Sequence, residues 1–321
     1  MWAALAVGHS AGAANSAPLV LEAKIPLGDV KGRMDHMTVD LPRQRLFVAE
    51  LGNDSVGVVD LKAQKVMRTI TALKEPQGVG YVPSTDTLYV ANGADGSVRL
   101  FEGANLVPSG RIELGDDADN VRVDTVANQV LVGYGSGAVG LIDAGSRKVI
   151  GRAPLKAHPE SFQLESKGKR IFANVPDAGE IDVLDRTSRE AVARWPLQGL
   201  GANFPLTLDE ATQRVLVVFR HPATLGVFKM SDGAPVATAA TCGDADDVFV
   251  DAKRKRVYVS CGEGFIDTFT VAGSAYTRSD RLATEGGART SLFVPEWDRL
   301  FLAVRGTANH PAAIWVLRPS P

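Results

Sequence analysis

The sequence predicts an all-β fold, a seven-bladed β-propeller built from four-stranded blades. One segment pattern recurs seven times: a polar cluster, a short apolar strand, a turn and a second strand. The copies follow one another at roughly 40 to 44 residues, the period of one propeller blade. Their polar clusters begin at Met34, Pro76, Asp119, His158, Asn203, Asp246 and Arg289.

The two ends of the chain supply a second observation. The seventh copy stops after its third strand, whereas an unassigned apolar segment, 19–25, precedes the first copy. A ring left open at this point would expose two sheet edges, which favour aggregation. We therefore expect the N-terminal strand to complete the last blade and close the ring.

The second copy shows the order of strands within a blade. Its inner strand A is predicted at 79–82, strand B at 87–92, strand C at 96–101 and the outer strand D at 106–114. Turns separate these strands, and the turn after strand B contains a glycine and an aspartate that tolerate positive φ. The other copies repeat this order, so residues 18–321 are predicted to form a single domain.

Composition narrows the classes of partner. The 321 residues carry a formal net charge of -2 and 7% aromatic residues, without the basic stripe typical of nucleic-acid binding. The longest apolar runs have the length of strands, so no membrane-spanning helix is predicted. We expect a monomer that binds either a small polar ligand or a protein partner.

Residues 1–17 differ in composition from the rest of the chain. A short apolar stretch is followed by small residues, including the Ala-x-Ala-like Ala11-Gly12-Ala13, as in a secretory signal peptide that lacks its basic start. This pattern predicts a periplasmic or secreted protein. A disordered N-terminus is the alternative interpretation.

The chain has two cysteines, Cys242 and Cys261. In the repeat register one lies just before the inner strand of the sixth copy and the other just after its second strand. Antiparallel pairing brings those positions to the same edge of one blade, within reach of a disulfide. Two independent buried thiols are the alternative.

Three short phrases carry a resemblance to a known family. They are 46–50 (Leu-Phe-Val-Ala-Glu), 88–92 (Leu-Tyr-Val-Ala-Asn), and 58–61 (Val-Val-Asp-Leu) with the following Lys65-Val66. In these the chain resembles the YVTN-repeat, or YncE-like, exported bacterial propellers. The resemblance covers the mature chain and implies the seven-bladed fold and export. Related propellers include lactonases, lyases and cofactor-binding electron-transfer subunits, so the resemblance implies no single activity.

Polar residues are predicted to gather on one rim of the ring, because the loops before strand A and after strand B meet there. The four histidines after the N-terminal segment all map to this rim: His36, His158, His221 and His310. Histidine is a frequent general base and metal ligand. The rim is therefore the predicted functional face.

A repeated phrase predicts a cation site on this rim. Asp117-Ala118-Asp119-Asn120 in the third copy matches Asp244-Ala245-Asp246-Asp247 in the sixth. The oxygens of Asp119, Asn120, Asp246 and Asp247 are ligands of the kind that Ca²⁺ or Mg²⁺ takes. Turn residues that bind backbone N–H groups give the same recurrence without a metal.

Catalytic and ligand-binding residues are predicted on the same rim. His158 with Glu160 is the leading acid/base pair, His36 beside Asp35 is a second candidate, and an inter-blade hydrogen-bond clasp is the structural alternative. Arginine side chains could grip an anionic ligand bidentately, unless they pair internally with Asp35 or Glu50. The candidate ligand-binding residues are Arg33, Asp35, Asn203, Arg220, Arg289 and Arg305.

These residues lead to two functional hypotheses of different class. The first is a periplasmic propeller that binds a small polar or anionic ligand in the rim funnel, with metal-assisted hydrolase, lactonase-like or lyase chemistry. The second is a non-catalytic scaffold that docks a protein or peptide on its rim.

Overall fold

A computed structural model describes residues 17–321 as seven four-stranded antiparallel sheets arranged as the blades of a propeller. The signal-peptide-like segment predicted at 1–17 lies outside the described residues, apart from Ala17. None of the helices in the described chain has the length and apolarity needed to cross a membrane.

Six blades are each formed by four consecutive strands, in the order A to D from the channel outwards. Blade 1 contains β2 (Met37–Asp40), β3 (Arg45–Glu50), β4 (Ser55–Asp60) and β5 (Lys65–Ile70). Blade 2 contains β6 (Pro76–Val82), β7 (Thr87–Asn92), β8 (Ser97–Glu102) and β9 (Val107–Glu113). Blade 3 contains β10 (Ala118–Asp124), β11 (Gln129–Tyr134), β12 (Ala138–Asp143) and β13 (Lys148–Pro154). Blade 4 contains β14 (Ser161–Leu164), β15 (Arg170–Val175), β16 (Glu180–Asp185) and β17 (Ala191–Pro196). Blade 5 contains β18 (Gly201–Asp209), β19 (Arg214–His221), β20 (Ala223–Lys229) and β21 (Pro235–Ala240). Blade 6 contains β22 (Ala245–Asp251), β23 (Arg256–Cys261), β24 (Phe265–Ala272) and β25 (Ala275–Ala283).

Blade 7 joins the two ends of the chain, which confirms the predicted closure. β26 (Ser291–Val294), β27 (Arg299–Val304) and β28 (Ala312–Pro319) supply its inner three strands, and β1 (Leu19–Gly28) is the outermost. β1 pairs antiparallel with β28. Closure pairs the outer edge of β28 and gives blade 7 the same four strands as the other blades.

Apolar packing between adjacent blades explains why the inner strands are hydrophobic on both faces. Every residue of β3 is buried, whereas most of the outer strand β5 is exposed. Phe47 and Val58 of blade 1 pack against Val79 and Leu88 of blade 2 in one such core. Burying a side chain such as Phe47 contributes about 1.5–3 kcal/mol, so the stacking of blades stabilises the ring.

The turns between strands A and B, on the face opposite the predicted functional rim, hold ion-pair networks. Arg45 is buried, and its Nη2 donates to Asp40 Oδ2 at 2.7 Å. Arg254 donates to Asp251 at 3.0 Å and to Asp298 at 2.6 Å. These turns therefore fix neighbouring segments to one another and are more than a layer of solvated polar groups.

Asparagine side chains clasp neighbouring blades near the functional rim. Asn203 Nδ2 donates to the Glu180 carbonyl at 3.1 Å, and Asn174 Nδ2 donates to the Phe204 carbonyl at 3.0 Å, so blades 4 and 5 are bound in both directions. Asn120 Nδ2 joins blade 3 to the Glu160 carbonyl of blade 4 at 2.7 Å. We call these three asparagines the blade clasps.

A disulfide joins Cys242 to Cys261, as the repeat register predicted. Cys242 precedes β22, Cys261 ends β23, and their Cα atoms are 5.9 Å apart. The bond thus fixes the start of strand A to the end of strand B in blade 6, beside the segment that carries Asp244 and Asp246.

Removing this disulfide should destabilise the fold. A crosslink between cysteines 19 positions apart restricts the unfolded chain, which is worth about 3 kcal/mol for a loop of this size. We expect the Cys242→Ser, Cys261→Ser double variant to unfold at a lower urea concentration than the oxidised protein. Dithiothreitol should shift the wild-type midpoint towards that of the variant and leave the variant unchanged; equal midpoints under oxidising conditions would contradict the prediction.

Loss of a blade clasp should also cost stability. Asn203→Ala removes a buried donor and leaves the Glu180 carbonyl without it, which should lower the free energy of unfolding by about 1–3 kcal/mol. Exposed Asn105 provides the control, because Asn105→Ala should shift the urea midpoint little. An unchanged midpoint for Asn203→Ala, combined with lost ligand binding, would instead assign Asn203 to the ligand.

Candidate functional site

The candidate site lies where the A strands begin, at the mouth of the central channel. Irregular pairing marks these starts: the register of β10 shifts between Ala118 and Val121, and that of β22 between Ala245 and Asp247. Bulges of this kind re-aim side chains next to functional sites. Here the bulges fall on the two repeated acidic phrases. The side chains between the paired positions therefore do not alternate between the two faces of the sheet as they would in a regular strand.

Four side chains from three blades converge at this mouth, and we call them the funnel cluster: Asp35, His36, Asp119 and His158. His36 Nε2 lies 3.8 Å from Asp35 Oδ1 and 3.9 Å from Asp119 Oδ1. His158 Nε2 lies 3.8 Å from Asp119 Oδ2. One ligand atom from each of Asp35, His36 and Asp119 lies within 4.8 Å of the others, so one ion could contact all three.

The two aspartates of the cluster are buried, and their pKa values are shifted in opposite directions. Burial opposes ionisation of Asp119, yet His158, His36 and Arg33 outweigh it and lower the pKa of this carboxyl group. Burial raises the pKa of Asp35 well above its usual value, against the charge of Arg33. Asp119 Oδ1 is buried and has no hydrogen-bond partner. The cluster therefore holds an anionic oxygen whose bonding capacity is unmet.

His158 is held in one orientation by a backbone carbonyl. Its Nδ1 lies 2.8 Å from the Gly135 oxygen, which requires a proton on Nδ1 and directs Nε2 towards Asp119. Burial disfavours the charged ring, but the Asp119 carboxylate, the Gly135 carbonyl and Asp117 outweigh burial and raise the pKa of His158 to about 9. His158 is therefore a cation at neutral pH that compensates Asp119.

Glu160 has the pKa of a group that changes charge near neutrality. Burial and the nearby charges of Asp119 and Asp246 raise its pKa to about 7, while His158 and Arg220 act in the opposite direction. The sequence predicted His158 and Glu160 as an acid/base pair. His158 belongs to the funnel cluster, the Glu160 carboxyl group feels the charges of Asp119 and His158, and the Glu160 backbone also accepts the blade clasp of Asn120.

Three of the four predicted funnel arginines are engaged by carboxylates. Arg33 donates to Asp35 at 2.6 Å, and this is the internal pairing that the sequence left open. Arg220 lies 2.6 Å from Asp246 Oδ1, and Arg289 lies 2.6 Å from Asp244 Oδ1 and 3.1 Å from Asp246 Oδ2. The fourth, Arg305, is exposed.

The predicted metal residues divide between the cluster and its surroundings. Asp119 belongs to the group of carboxylate and imidazole ligands that could hold an ion, whereas Asp246 and Asp247 do not. Asp246 is held by Arg220 and Arg289. Asp247 accepts the Ser291 backbone N–H at 2.7 Å, and burial raises its pKa to about 7. The grouping of Asp35 and His36 with Asp119 was not predicted.

The remaining rim histidines lie outside the cluster. His221 is exposed, and His310 Nε2 lies 3.4 Å from Glu285 Oε2. Arg122 follows the acidic phrase on β10 and lines the channel, and it was not among the predicted site residues. The sequence does contain a signal for Arg122, since the corresponding positions of three other blades are uncharged. They are Thr38, Gly80 and Gln163.

Glycines in blade 2 allow close approach to the strand that carries Asp119. A Cβ atom on Gly78 would lie 2.0 Å from the Asp119 carbonyl oxygen, and one on Gly80 would lie 2.5 Å from Val121 Cγ1. The first distance is impossible without backbone movement, and the second without a shift of the Val121 side chain. Blades 2 and 3 therefore meet at a spacing that requires glycine at position 78 and favours it at position 80.

Comparison with known proteins identifies the fold alone. No protein-family model and no curated protein sequence matches the chain. A chain of "Kuenenia stuttgartiensis Hydrazine Synthase" superimposes with a TM-score of 0.77 at 16% identity, covering 92% of this chain and 96% of that one. A chain of "Crystal Structure of Mitotic Checkpoint Complex" gives 0.80 at 12% identity, with 98% of both chains covered. At such identities the shared property is the propeller architecture, which hosts unrelated functions.

Proposed function

We propose that this protein binds a small polar or anionic ligand in its rim funnel through a divalent metal ion held by Asp35, His36 and Asp119. The observation that carries the proposal is the convergence of these three potential ligands within 4.8 Å. Three protein ligands leave coordination positions open for an exogenous molecule. The resemblance to exported propellers supports a periplasmic or secreted location.

The donor set favours a transition metal over the Ca²⁺ or Mg²⁺ expected from the acidic phrases. An imidazole nitrogen with two carboxylates suits Zn²⁺, Mn²⁺ or Fe²⁺, whereas Ca²⁺ and Mg²⁺ prefer oxygen ligands alone. A cation would also satisfy Asp119 Oδ1, which is buried without a partner. His158, fixed by Gly135, would orient Asp119 from outside the ligand set.

Metal titration tests this proposal. After treatment with EDTA, the protein should bind Zn²⁺ or Mn²⁺ with one-to-one stoichiometry in calorimetry, more tightly than Ca²⁺ or Mg²⁺. Asp119→Asn and His36→Ala should weaken binding by roughly 100-fold or more, since even losses outside the ligand set cost 10- to 100-fold. Exposed Asp29 offers the matched control, Asp29→Asn. Equal affinity in all four proteins, or no binding in the wild type, would refute the metal site.

We further propose hydrolytic chemistry at this centre, with Glu160 as general base. Its pKa of about 7 places the proton-accepting form within reach at neutral pH, as general base catalysis requires. A bound metal would supply an activated water and polarise the substrate carbonyl. His158 would act as a positioning residue through Asp119.

A variant of Glu160 separates catalysis from binding. With metal-loaded protein and a panel of lactones and aryl esters, wild-type activity should rise with pH through about 7 as Glu160 ionises. Glu160→Gln should lower the rate by roughly 10²- to 10⁴-fold while metal affinity stays within twofold. Metal binding by a protein that turns over no member of the panel would reject the hydrolase proposal and retain the binding function.

Docking of a protein or peptide partner on the rim is the second candidate function. The exposed large apolar residues argue against it, since those of the outer strands, such as Met67, Val107 and Val192, lie away from the funnel. The rim aromatics Tyr134 and Phe204 are partly buried, and the guanidinium of Arg220 covers the Phe204 ring at 3.6 Å. A small ligand therefore fits the rim better than an apolar protein surface.

A further inference from the structure

Beneath the funnel cluster, the inner strands enclose a cavity of about 310 Å³. His36 and Asp246 line its mouth, so the cavity is continuous with the funnel. Its walls are mixed, with apolar surface from Val79, Leu206 and Phe249 and at least as much polar surface. The volume lies at the lower end of the range that small-molecule sites occupy.

Arg122 is the only lysine or arginine among the residues that line this cavity. The hydrogen bond that its guanidinium makes in the described chain runs from Nη1 to the Val121 carbonyl at 2.9 Å. Its Nε is buried without a partner. Burial lowers the pKa of Arg122, while Asp247 and Asp119 oppose this through their charges without forming an ion pair with it.

The other arginines around the funnel make a contrast with Arg122. Arg33, Arg220 and Arg289 each lie 2.6 Å from a carboxylate oxygen. Partial burial of a guanidinium without a close counterion is unfavourable. The structure thus holds a half-buried cation with unused donors beside an open cavity, and a bound anion would pair with its charge and its donors.

We infer that the channel binds a small monocarboxylate, with its carboxylate on Arg122. A guanidinium matches a carboxylate or a phosphate bidentately, so the fork alone does not choose between them. Asp246 and Asp247 line the same cavity and repel a multiply charged phosphate more than a monoanion.

Neutral polar side chains also line this site, and they do not neutralise the charge of Arg122. Ser161 and Thr38 line the cavity and bring hydroxyl groups to it, and Gln163 brings an amide. Gln163 Nε2 lies 3.4 Å from the Leu206 carbonyl, a long hydrogen bond that a ligand oxygen could replace. This carboxylate site goes beyond the proposed metal centre and does not require the metal.

Calorimetry with benzoate and butyrate on EDTA-treated protein tests the inference. We expect one carboxylate per chain, and no comparable binding of inorganic phosphate. Arg122→Gln should weaken binding roughly 10- to 100-fold, the range for losing charged hydrogen bonds. The matched control is Arg152→Gln, because Arg152 is exposed on β13 and does not line the channel. Unchanged binding in Arg122→Gln, or tighter binding of phosphate than of benzoate, would overturn the inference.

A stability measurement guards against a purely structural role for Arg122. Replacing an uncompensated buried charge with an apolar side chain is neutral or stabilising. Arg122→Leu should therefore melt at or above the wild-type temperature without ligand, and benzoate should raise the melting temperature of the wild type only. A lowered melting temperature together with retained benzoate binding would show that Arg122 serves the fold.

The proposals of a metal centre and of a carboxylate site can be refuted separately. Asp119→Asn should lose Zn²⁺ binding and keep benzoate binding, whereas Arg122→Gln should show the reverse. Loss of benzoate binding in Asp119→Asn without metal present would contradict an independent site at Arg122.

Discussion

The ring closes through the pairing of β1 with β28, and the position of every blade depends on that closure. Leu19 lies opposite Pro319, and Ile25 lies opposite Ile314. Ion pairs from Arg299 and Arg318 to Glu22 hold the same strand from the side. The funnel residues come from different blades, so their mutual distances are defined only in a closed ring. Their geometry is a property of the whole chain.

The two faces of the ring use the same residue types to different ends. At the turns between strands A and B, Asp40, Asp251 and Glu165 each meet an arginine of their own blade. In the funnel, Arg220 and Arg289 both bind Asp246, and two histidines are left beside Asp119. Paired charges on one face strengthen the fold, whereas on the other face Asp119 Oδ1 is left without a hydrogen-bond partner, and the proposed metal site depends on this atom.

The sevenfold repeat of the segment pattern, and the need to pair the strand edges at the two ends of the chain, were enough to predict the fold. Strand B of blade 2 was predicted at 87–92 and is found at Thr87–Asn92, because its turn residues and apolar pattern are local signals. The site was less accessible. All four histidines were predicted on one rim, but only His36 and His158 converge on Asp119. Which of them meet depends on bulges in strand A and on side-chain directions, and neither follows from a repeat pattern. Arg122 went unnoticed because it lies inside a run of strand residues.

The close contact between blades at Gly78 affects how variants of this protein should be interpreted. The residue has no side chain to bind or catalyse, yet its backbone lies against the main chain of Asp119. Any larger residue would push blade 3 outwards and move Asp119 away from His36. A functional screen would then score Gly78 as highly as a metal ligand. Sensitivity to substitution and participation in chemistry are thus separate properties here, and direct measurement of metal binding and stability is needed to distinguish them.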